Sequence, residues 1–422
     1  MPISREELAR RLRQARKACY LKQEDVARHL GVSRSTIAQI EAGRRSVSSL
    51  ELDMLADIYG RDIREFLVEG YGENDALTVL FRKHPEVVGE TPMATALRKA
   101  VALGRELTSL ERLLGIERDA ALPTYTFKPP RTWWQAFQQG ERTAEEERRR
   151  LGLGNSPLQN VAELLELQGV RTAQLELPQD VSGMMLLNET IGIFIAVNNL
   201  APGHSRLRRR FSYVHEYGHA LLDRARRDIV SRETEGKSLP EVRADAFAAA
   251  FLMPAAGVRE FVERHGKGRP SRLQAEIYDE AEPHRIRTRT EPGTQILQMH
   301  DVVLLAHHFG TSRLASLYRL RNLGLLTQPE LENLLEQEQM GLGKTLQDLL
   351  GLSEPDPEST RNEFRHRFLA LGLEAHRRGE ITKGKLRELA ALVYVDFEDL
   401  EKTLQRSGLD ADDHGLDESQ DA

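Results

Sequence analysis

Five residues near the middle of the chain, His215-Glu216-Tyr217-Gly218-His219, carry the pattern that decides the fold around them. In a helix, two histidines four positions apart project from one face, about one turn apart. Both imidazoles can therefore bind one tetrahedral zinc ion, and the glutamate between them is a candidate general base. The alternative is a surface helix that carries two histidines by chance. The motif predicts a zinc site that needs a third protein ligand.

A candidate for the third ligand lies downstream, in residues 241–254. Apolar residues recur there at three- and four-residue intervals, which predicts a helix with one buried face. Glu241 and Asp245 are four positions apart and share a side of that helix. We assign Glu241 as the third zinc ligand and Asp245 as the acceptor for the free ring nitrogen of a zinc histidine. Both residues could instead be solvated charges, the usual state of acidic residues on helices, but the upstream histidines favour the metal site.

In this order and at this distance, the two motifs resemble a known family. Residues 210–219 followed by residues 241–254 are similar to the ImmA/IrrE family of metallopeptidases, and the resemblance covers roughly residues 141–260. One departure is Tyr213-Val214, where the family commonly has a small aliphatic pair. This is a change in packing, and it leaves every matched ligand position intact.

The resemblance implies a fold and a ligand set. It implies an α+β zincin-like core in which His215, His219 and Glu241 hold zinc and Glu216 is the general base. It also implies a substrate class, since separate members of the family cleave Xre-type repressors during stress or mobile-element induction.

The secondary structure expected in this core is a helix, a small sheet and the zinc helix. Residues 158–168 are amphipathic, and strands are predicted at residues 170–177, 183–187 and 191–197. We expect the last of these strands to lie above the metal and to pair with an extended substrate. The donor that stabilises a tetrahedral oxyanion is not identified. Its candidates are Tyr278, His284 and His300.

The N-terminus points to a different chemistry. Two short helices are predicted on either side of Gly31, which allows a left-handed turn, and Ser33 is expected to cap the second. That second helix, residues 34–41, is rich in Arg, Ser, Thr and Gln, which is typical of a DNA-binding helix-turn-helix. Residues 4–68 resemble the five-helix Xre/Cro-type repressor domain.

Charge and position then indicate the DNA contacts. Residues 1–48 contain eleven Lys or Arg and five Asp or Glu, a surplus of six positive charges in a chain whose formal net charge is −6. A basic surface on an acidic protein is typical of phosphate binding. We expect base contacts from Arg34, Ser35, Thr36 and Gln39, and phosphate contacts from Gln23, Arg44 and Arg45. The alternative is a helix-turn-helix used only for protein contact.

A second pattern of this kind follows the zinc motifs. Residues 305–313 parallel residues 26–34, with a glycine and a serine at the same places. This segment also resembles the ImmA/IrrE family, whose members carry a helical bundle of this form beside the peptidase. We therefore expect this bundle to pack against the catalytic module rather than to contact DNA, and we exclude His300, His307 and His308 from the zinc ligands.

Composition favours a cytoplasmic protein. The chain has 422 residues, 40% of them hydrophobic, which is ordinary for a soluble chain of two to four domains. No run approaches the ~20 apolar residues that span a bilayer, and residues 1–5 do not begin a signal peptide. Cys19 is the only cysteine, so an intrachain disulfide and thiolate zinc ligation are excluded.

The expected fold class is multidomain and predominantly α, with an α+β zincin-like peptidase core, an N-terminal five-helix helix-turn-helix domain and a C-terminal helical region. The predicted segments are residues 1–70 (helix-turn-helix DNA-binding domain), 71–140 (helical spacer), 141–265 (zinc metallopeptidase), 266–327 (helix-turn-helix-like bundle), 328–408 (C-terminal helical domain) and 409–422 (disordered acidic tail). The spacer is either a linker or a dimer-forming helix pair, which leaves a homodimer open.

Two functional hypotheses follow. The leading one is a DNA-binding transcriptional regulator with a zinc-dependent endopeptidase domain, which acts in a stress, mobile-element or toxin–antitoxin response. Its partners are operator DNA and a protein substrate, either an Xre-type repressor or the chain itself, cleaved in cis or in trans. The alternative is a non-proteolytic DNA-binding regulator or antitoxin whose zinc module is a sensor or scaffold. Loss of a ligand or of Glu216 would favour the alternative, and all of these residues are present.

Overall fold

The computed structural model of the protein describes residues 3–18, 21–59, 63–67, 92–116, 122–188, 191–199, 206–224, 228–232, 238–267, 272–278, 283–289, 295–352, 363–393 and 395–407. Residues 409–422, predicted as a disordered tail, lie outside these ranges, as does Cys19. None of the described helices is long and apolar enough to cross a membrane.

The chain begins with helices and enters its sheet near the middle. The helices before the sheet are α1 (Arg5–Ala18), α2 (Gln23–Leu30), α3 (Arg34–Glu41), α4 (Ser49–Tyr59), α5 (Ile63–Leu67), α6 (Pro92–Leu113), α7 (Trp133–Arg150) and α8 (Val161–Leu167). The central elements are β1 (Arg171–Leu175), β2 (Val181–Asn188), β3 (Gly192–Asn198), α9 (Arg206–Leu222), β4 (Asp228–Arg232), α10 (Leu239–Leu252) and α11 (Ala255–Arg264). The remaining elements are β5 (Arg272–Tyr278), β6 (Pro283–Arg289), α12 (Met299–Phe309), α13 (Arg313–Asn322), α14 (Gln328–Gln339), α15 (Leu342–Leu349), α16 (Glu363–Arg377), α17 (Lys383–Leu392) and α18 (Phe397–Ser407).

The first five helices form the helix-turn-helix domain, so the five-helix prediction is confirmed. Gly31 has φ 67° and ends α2 in a left-handed turn. The Ser33 side chain then accepts a hydrogen bond from the Thr36 backbone N–H at 3.2 Å, which caps α3. The apolar faces of these helices enclose a core that includes Leu12, Val26, Ile37, Leu55 and Phe66, each 1% exposed or less.

The chain divides into two compact units. One comprises Met1–Asp119, Leu187–Phe194 and Arg361–Ala422, and the other comprises Ala120–Leu186 and Ile195–Thr360. This division cuts through the C-terminal domain predicted at residues 328–408. Helices α14 and α15 pack on α12 and α13, whereas α16 and α17 pack on α6. The sequence pattern predicts helices there but carries no signal for which distant helix each one covers.

Three helices that pass close to one another form the centre of the second unit. A Cβ atom at Gly140 in α7 would lie 2.3 Å from the Arg243 carbonyl oxygen of α10, and one at Gly218 in α9 would lie 2.9 Å from the Phe247 ring. Such distances are too short for a side chain. The two glycines therefore let α7 and α9 approach α10 closely. Helix α10 is buried along nearly its whole length as a result.

The sheet beside these helices has the strand order β1-β3-β2-β4. Strand β3 lies inside the sheet, so the expectation that residues 191–197 pair with a substrate strand is wrong; both of its edges are used. Strand β4 pairs antiparallel with β2, from Val181 opposite Arg232 to Leu186 opposite Asp228. Its five residues were not predicted, since so short a strand is hard to distinguish from a loop.

Two boundaries differ from the predicted domains. Helix α7 begins at Trp133 rather than near residue 141, because Thr132 caps it by accepting the Gln135 backbone N–H at 3.2 Å. Trp133 and Trp134 are more than half exposed and stack on Phe137 of the same helix. Strands β5 and β6 form an antiparallel pair within residues 266–327, and the helical part of that predicted bundle begins only at Met299.

Candidate metal centre and nucleic-acid interface

Helices α9 and α10 bring three potential ligands together. His215 and His219 lie one turn apart on α9, and Glu241 lies in the first turn of α10. The His215 Nε2 atom is 3.1 Å from Glu241 Oε2 and 3.2 Å from His219 Nε2, and His219 Nε2 is 3.4 Å from Glu241 Oε1. Among the residues that the structure describes, these form the one group of three with metal-ligand geometry.

The spacing of these atoms fits zinc. Ligands bonded at 2.0–2.2 Å around a tetrahedral ion lie about 3.3 Å from one another, and the three distances above fall close to that value. Two imidazole nitrogens and a carboxylate oxygen are also a donor set that zinc prefers in open sites with room for a further ligand. The residues present therefore fit the metal.

Each histidine has a carboxylate at its other ring nitrogen. His215 Nδ1 is 3.0 Å from Asp245 Oδ1, and His219 Nδ1 is 2.9 Å from Asp223 Oδ2. An ionised carboxylate only accepts hydrogen bonds, so Asp245 and Asp223 favour a proton on Nδ1 of each ring and leave Nε2 as the nitrogen that can bind a metal. Sequence reasoning singled out Asp245 but missed Asp223. The i, i+4 spacing of His219 and Asp223 on one helix was an available signal.

The field in this cluster favours positive charge. Burial alone would lower the pKa of His215, but hydrogen bonds with Asp245 and Glu241 outweigh it and raise that pKa to about 10. The pKa of His219 is raised in the same way, against burial, by Asp223 and Glu241. Burial acts to raise the pKa of Glu241, yet the two histidines hold it well below its ordinary value. A site that stabilises protons on its histidines also attracts a divalent cation, with which protons then compete.

Glu216 lies beside the ligands and is fully buried. Strand β2 passes directly over its carboxylate, because a Cβ atom at Gly183 would lie 3.0 Å from Glu216 Oε1 and 3.2 Å from the Ala196 carbonyl oxygen. The absence of a side chain at Gly183 thus leaves room for the Glu216 carboxylate. The sequence alone offered no signal for this role, since the strand and the helix meet only in the fold.

The opposite face of α9 is held by a buried carboxylate. Glu147 of α7 accepts hydrogen bonds from the Tyr217 hydroxyl at 2.5 Å and the Tyr125 hydroxyl at 2.8 Å, and it forms an ion pair with Arg150. Burial acts to raise the pKa of Glu147, but Arg150 and the two tyrosines lower it overall. This network bonds α9 to α7 through Tyr217, and none of its members contacts the two histidines.

Arg210, in the second turn of α9, bonds to three backbone carbonyl groups. Its guanidinium donates to the Gly310 carbonyl oxygen at 3.0 Å and to the carbonyl oxygens of Gln159 and Leu158 at 2.6 Å each. The helix that carries the histidines is thereby bonded to the turn between α12 and α13. Tyr213, one of the two residues that depart from the family's aliphatic pair, is buried. Its hydroxyl donates a hydrogen bond to the Ala173 carbonyl oxygen at 3.0 Å.

Among the residues that the structure describes, the other histidines do not join the metal group. His300 is half exposed and lies beside Asp301, and His308 packs against Phe261 and Phe309. Of the three candidates for oxyanion stabilisation, the side chains of Tyr278 and His284 lie outside the described residues.

The predicted DNA-contact residues lie on and around α3. Arg34, Ser35, Gln39 and Arg44 are exposed, and Thr36 is partly exposed. Two of the expected phosphate contacts are engaged within the domain. The Gln23 amide donates to Glu41 at 2.9 Å, and Arg45 forms an ion pair with Glu51 at 2.8 Å. Arg44 is the exposed cation of that group.

Comparison with protein families assigns both regions. Residues 7–66 match the model of a helix-turn-helix domain. Residues 166–277 match a peptidase family model described as the IrrE N-terminal-like domain. The second match contains all three ligands, Glu216, Asp223 and Asp245, and it begins after α7. No curated protein matches the chain.

These matches give the chain a DNA-binding module and a metallopeptidase-type module. The predicted family resemblance and fold class are confirmed: the protein is multidomain and mostly α, with a four-stranded sheet in the peptidase-type region. The IrrE-like match ends near the end of β5. The helices α12–α15 lie beyond it, although the turn between α12 and α13 bonds to Arg210 of α9 and α13 contacts α10.

Proposed function

We propose that the protein is a DNA-binding transcriptional regulator and a zinc-dependent endopeptidase that acts in the cytoplasm. The observation that carries the proposal is the convergence of His215, His219 and Glu241, with ligand atoms 3.1–3.4 Å apart, beside the buried carboxylate of Glu216. The family matches support the peptidase type and the DNA-binding type of the two modules.

The chemistry divides between the metal and the chain. Zinc in such a site acidifies water and polarises a peptide carbonyl. Glu216 takes a proton from the attacking water and later delivers it to the departing amine. Asp245 and Asp223 keep the proton of each histidine on Nδ1, so that both Nε2 atoms face Glu241. Because Glu216 is buried, bulk water has little access to its carboxylate. The proton can then pass only between Glu216 and groups held next to it.

The DNA-binding module would bring the peptidase to a particular DNA site. Helix α3 exposes Arg34, Ser35 and Gln39, a set that can donate to and accept from base edges in the major groove. We propose that the protein occupies an operator and that the peptidase cleaves a repressor-type protein, either a partner in trans or the chain itself in cis. Cleavage would then be read out as a change in transcription during a stress, mobile-element or toxin–antitoxin response.

Mass spectrometry of the full chain tests the enzymatic part. The purified protein is incubated with zinc, with or without DNA, alone and with a helix-turn-helix repressor. We expect fragments of the chain or of the repressor in the presence of zinc, and no fragments with a chelator. The Glu216→Gln variant should retain zinc and lose cleavage, because the amide cannot accept the proton. The matched control is Glu260→Gln, since Glu260 is half exposed and pairs with Arg264 on α11.

Three outcomes would each overturn part of the assignment. Cleavage that persists in Glu216→Gln would remove Glu216 as the base. A protein that holds one zinc per chain but cuts neither itself nor a repressor would support a non-proteolytic regulator whose zinc module is a sensor or scaffold. Zinc content that is unchanged in Glu241→Ala would remove Glu241 from the ligands.

A further inference from the structure

Asp223 closes a second chain of contacts behind the metal group. It lies just beyond the end of α9, and its carboxylate bridges two side chains: Oδ2 is 2.9 Å from His219 Nδ1, and Oδ1 is 2.5 Å from Arg243 Nη2. Arg243 in turn donates from Nη1 to Gln139 Oε1 on α7 at 3.1 Å. Four side chains from the α9 region, α10 and α7 are therefore linked in one line that ends at a candidate zinc ligand.

We propose that Asp223 is a positioning residue for zinc binding, that it fixes the ring plane and tautomer of His219, and that Arg243 holds it in place. The proposal rests on the metal centre proposed above. It assigns to Arg243, on the helix that supplies Glu241, a role in the site that does not involve touching the metal.

Burial makes this contact hard to replace. The side chains of His219, Asp223 and Arg243 are 0%, 7% and 7% exposed. A carboxylate buried to this extent requires a cation and hydrogen-bond donors close by, and Arg243 and His219 provide both. If Asp223 is shortened to alanine, His219 Nδ1 loses its acceptor in a region with little access to water. The ring can then rotate, or move its proton to Nε2, where it blocks metal binding.

The other histidine is held differently. Asp245, which contacts His215 Nδ1, has a side chain that is 28% exposed. Water can reach that position and substitute for part of a lost carboxylate. The two carboxylates should therefore differ in importance. The loss of Asp223 should weaken metal binding more than the loss of Asp245, although both lie at 2.9–3.0 Å from an imidazole.

Metal affinity of the full chain tests the proposal without reference to cleavage. The zinc dissociation constant is measured by competition with a chromophoric chelator, and the visible spectrum is recorded after substitution with cobalt(II), which reports ligand geometry. We expect Asp223→Ala to weaken zinc about 10- to 100-fold and to change the cobalt spectrum. Asp223→Asn should weaken zinc binding less than Asp223→Ala, because the amide oxygen can still accept a hydrogen bond from His219 Nδ1. Asp245→Ala should lie between Asp223→Ala and the wild type.

The matched control is Glu147→Gln. Glu147 is a fully buried carboxylate that also bonds to α9, through Tyr217, but it does not contact a ligand. The Glu147→Gln substitution should lower the unfolding temperature and leave the zinc dissociation constant and the cobalt spectrum as in the wild type. If both Asp223 variants keep the wild-type dissociation constant and spectrum, the role of Asp223 is purely structural and the proposal is wrong. If Asp223→Ala does not fold, Asp223→Asn decides in the same way.

Failure of the metal centre itself gives a different result. In that case the wild type holds less than one zinc per chain, or His219→Ala holds as much zinc as the wild type. Either result would overturn the metal centre and the positioning role together. Full zinc binding that is lost in His219→Ala but kept in both Asp223 variants would overturn the positioning role alone.

Discussion

Two turns of the protein have the same local geometry: the turn between α2 and α3 and the turn between α12 and α13. The helices that follow them have different contacts. Gly31 and Gly310 have φ values of 67° and 62°. Ser33 accepts the backbone N–H three residues later at 3.2 Å, and Ser312 does the same at 3.1 Å. Local sequence is enough to produce this geometry twice, because a left-handed glycine and a serine cap act within a few residues.

The inward faces of the second helices differ. In α3, the positions Ile37 and Ile40 face the core of the small domain and are 2% exposed or less. The corresponding positions in α13 are Ser316 and Arg319, which are equally buried. Arg319 donates to the Met253 carbonyl oxygen at 2.9 Å and forms an ion pair with Glu141. The buried polar residues of α13 thus contact Met253, at the end of α10, and Glu141 of α7.

The outward faces differ in the opposite sense. Helix α3 exposes Ser35 and Gln39, which can hydrogen-bond to base edges. Helix α13 places Leu314 and Tyr318 at the corresponding positions, 48% and 49% exposed. Leu314 can contact a thymine methyl group but carries no hydrogen-bond code, and Tyr318 offers only its hydroxyl as donor or acceptor. Helix α13 therefore presents fewer groups for base readout than α3, which agrees with a structural role for α13.

The largest effect should come from the buried arginine. Arg319→Met removes the charge that compensates Glu141 and leaves the Met253 carbonyl oxygen without this donor, so we expect a loss of about 3–5 kcal/mol in the stability of the peptidase region. The matched change Ile40→Met in α3 keeps volume and polarity, and it should cost less than about 1.5 kcal/mol. Hydrogen exchange, followed by mass spectrometry, measures each region separately. Equal losses in the two variants would refute the distinction between the two inward faces.

The two turn glycines give the next largest difference. Gly31→Ala meets no atom within 4 Å, so its cost is the left-handed conformation alone, about 1–2 kcal/mol. A Cβ atom at Gly310 would also lie 3.1 Å from Arg210 Cζ, and this overpacking adds about 1–3 kcal/mol. Because Arg210 lies on the helix of the two histidines, Gly310→Ala should also weaken zinc binding. Equal unfolding costs for the two variants, with zinc binding unaffected, would argue against coupling between this turn and α9.

Whether a feature can be predicted from the sequence depends on how far apart in the chain the interacting residues lie. The helix-turn-helix, the α9 motif and the caps at Ser33 and Ser312 depend on residues within one or two turns, so spacing predicts them. The direction of Asp245 towards His215 was also predictable, because Glu241 and Asp245 share a helix face.

Other features depend on contacts between distant segments. The Asp223–Arg243 contact, the passage of Gly183 over Glu216, and the interior place of β3 in its sheet all require the fold. Arg243 appears in the sequence as one more charged helix residue, and only burial beside Asp223 distinguishes it. The same holds for residues 328–408, whose helices were predicted but whose packing partners were not.

DNA binding sharpens the contrast between the outward faces. Gln39→Ala in α3 should weaken binding to an operator selected from a random duplex library by about 1–3 kcal/mol, because one bidentate base contact is lost, and Ser35→Ala should lose less. The matched variants Leu314→Ala and Tyr318→Ala in α13 should bind as the wild type does. An electrophoretic mobility assay at fixed salt measures all four. A loss in the α13 variants equal to that of Gln39→Ala would make α13 a second DNA-reading helix.

The smallest effect comes from the two caps. Ser33→Ala and Ser312→Ala each remove one side-chain acceptor at a helix N-terminus, so each should cost about 1 kcal/mol. The cost should appear in different places: hydrogen exchange should rise in α3 for the first variant and in α13 for the second. Since Ser312 adjoins Gly310 and Thr311, and Thr311 is buried against Met253, the second variant should also loosen the end of α10. Exchange that rises in α13 but not at residues 249–253 would show that the turn and the ligand-bearing helix are independent.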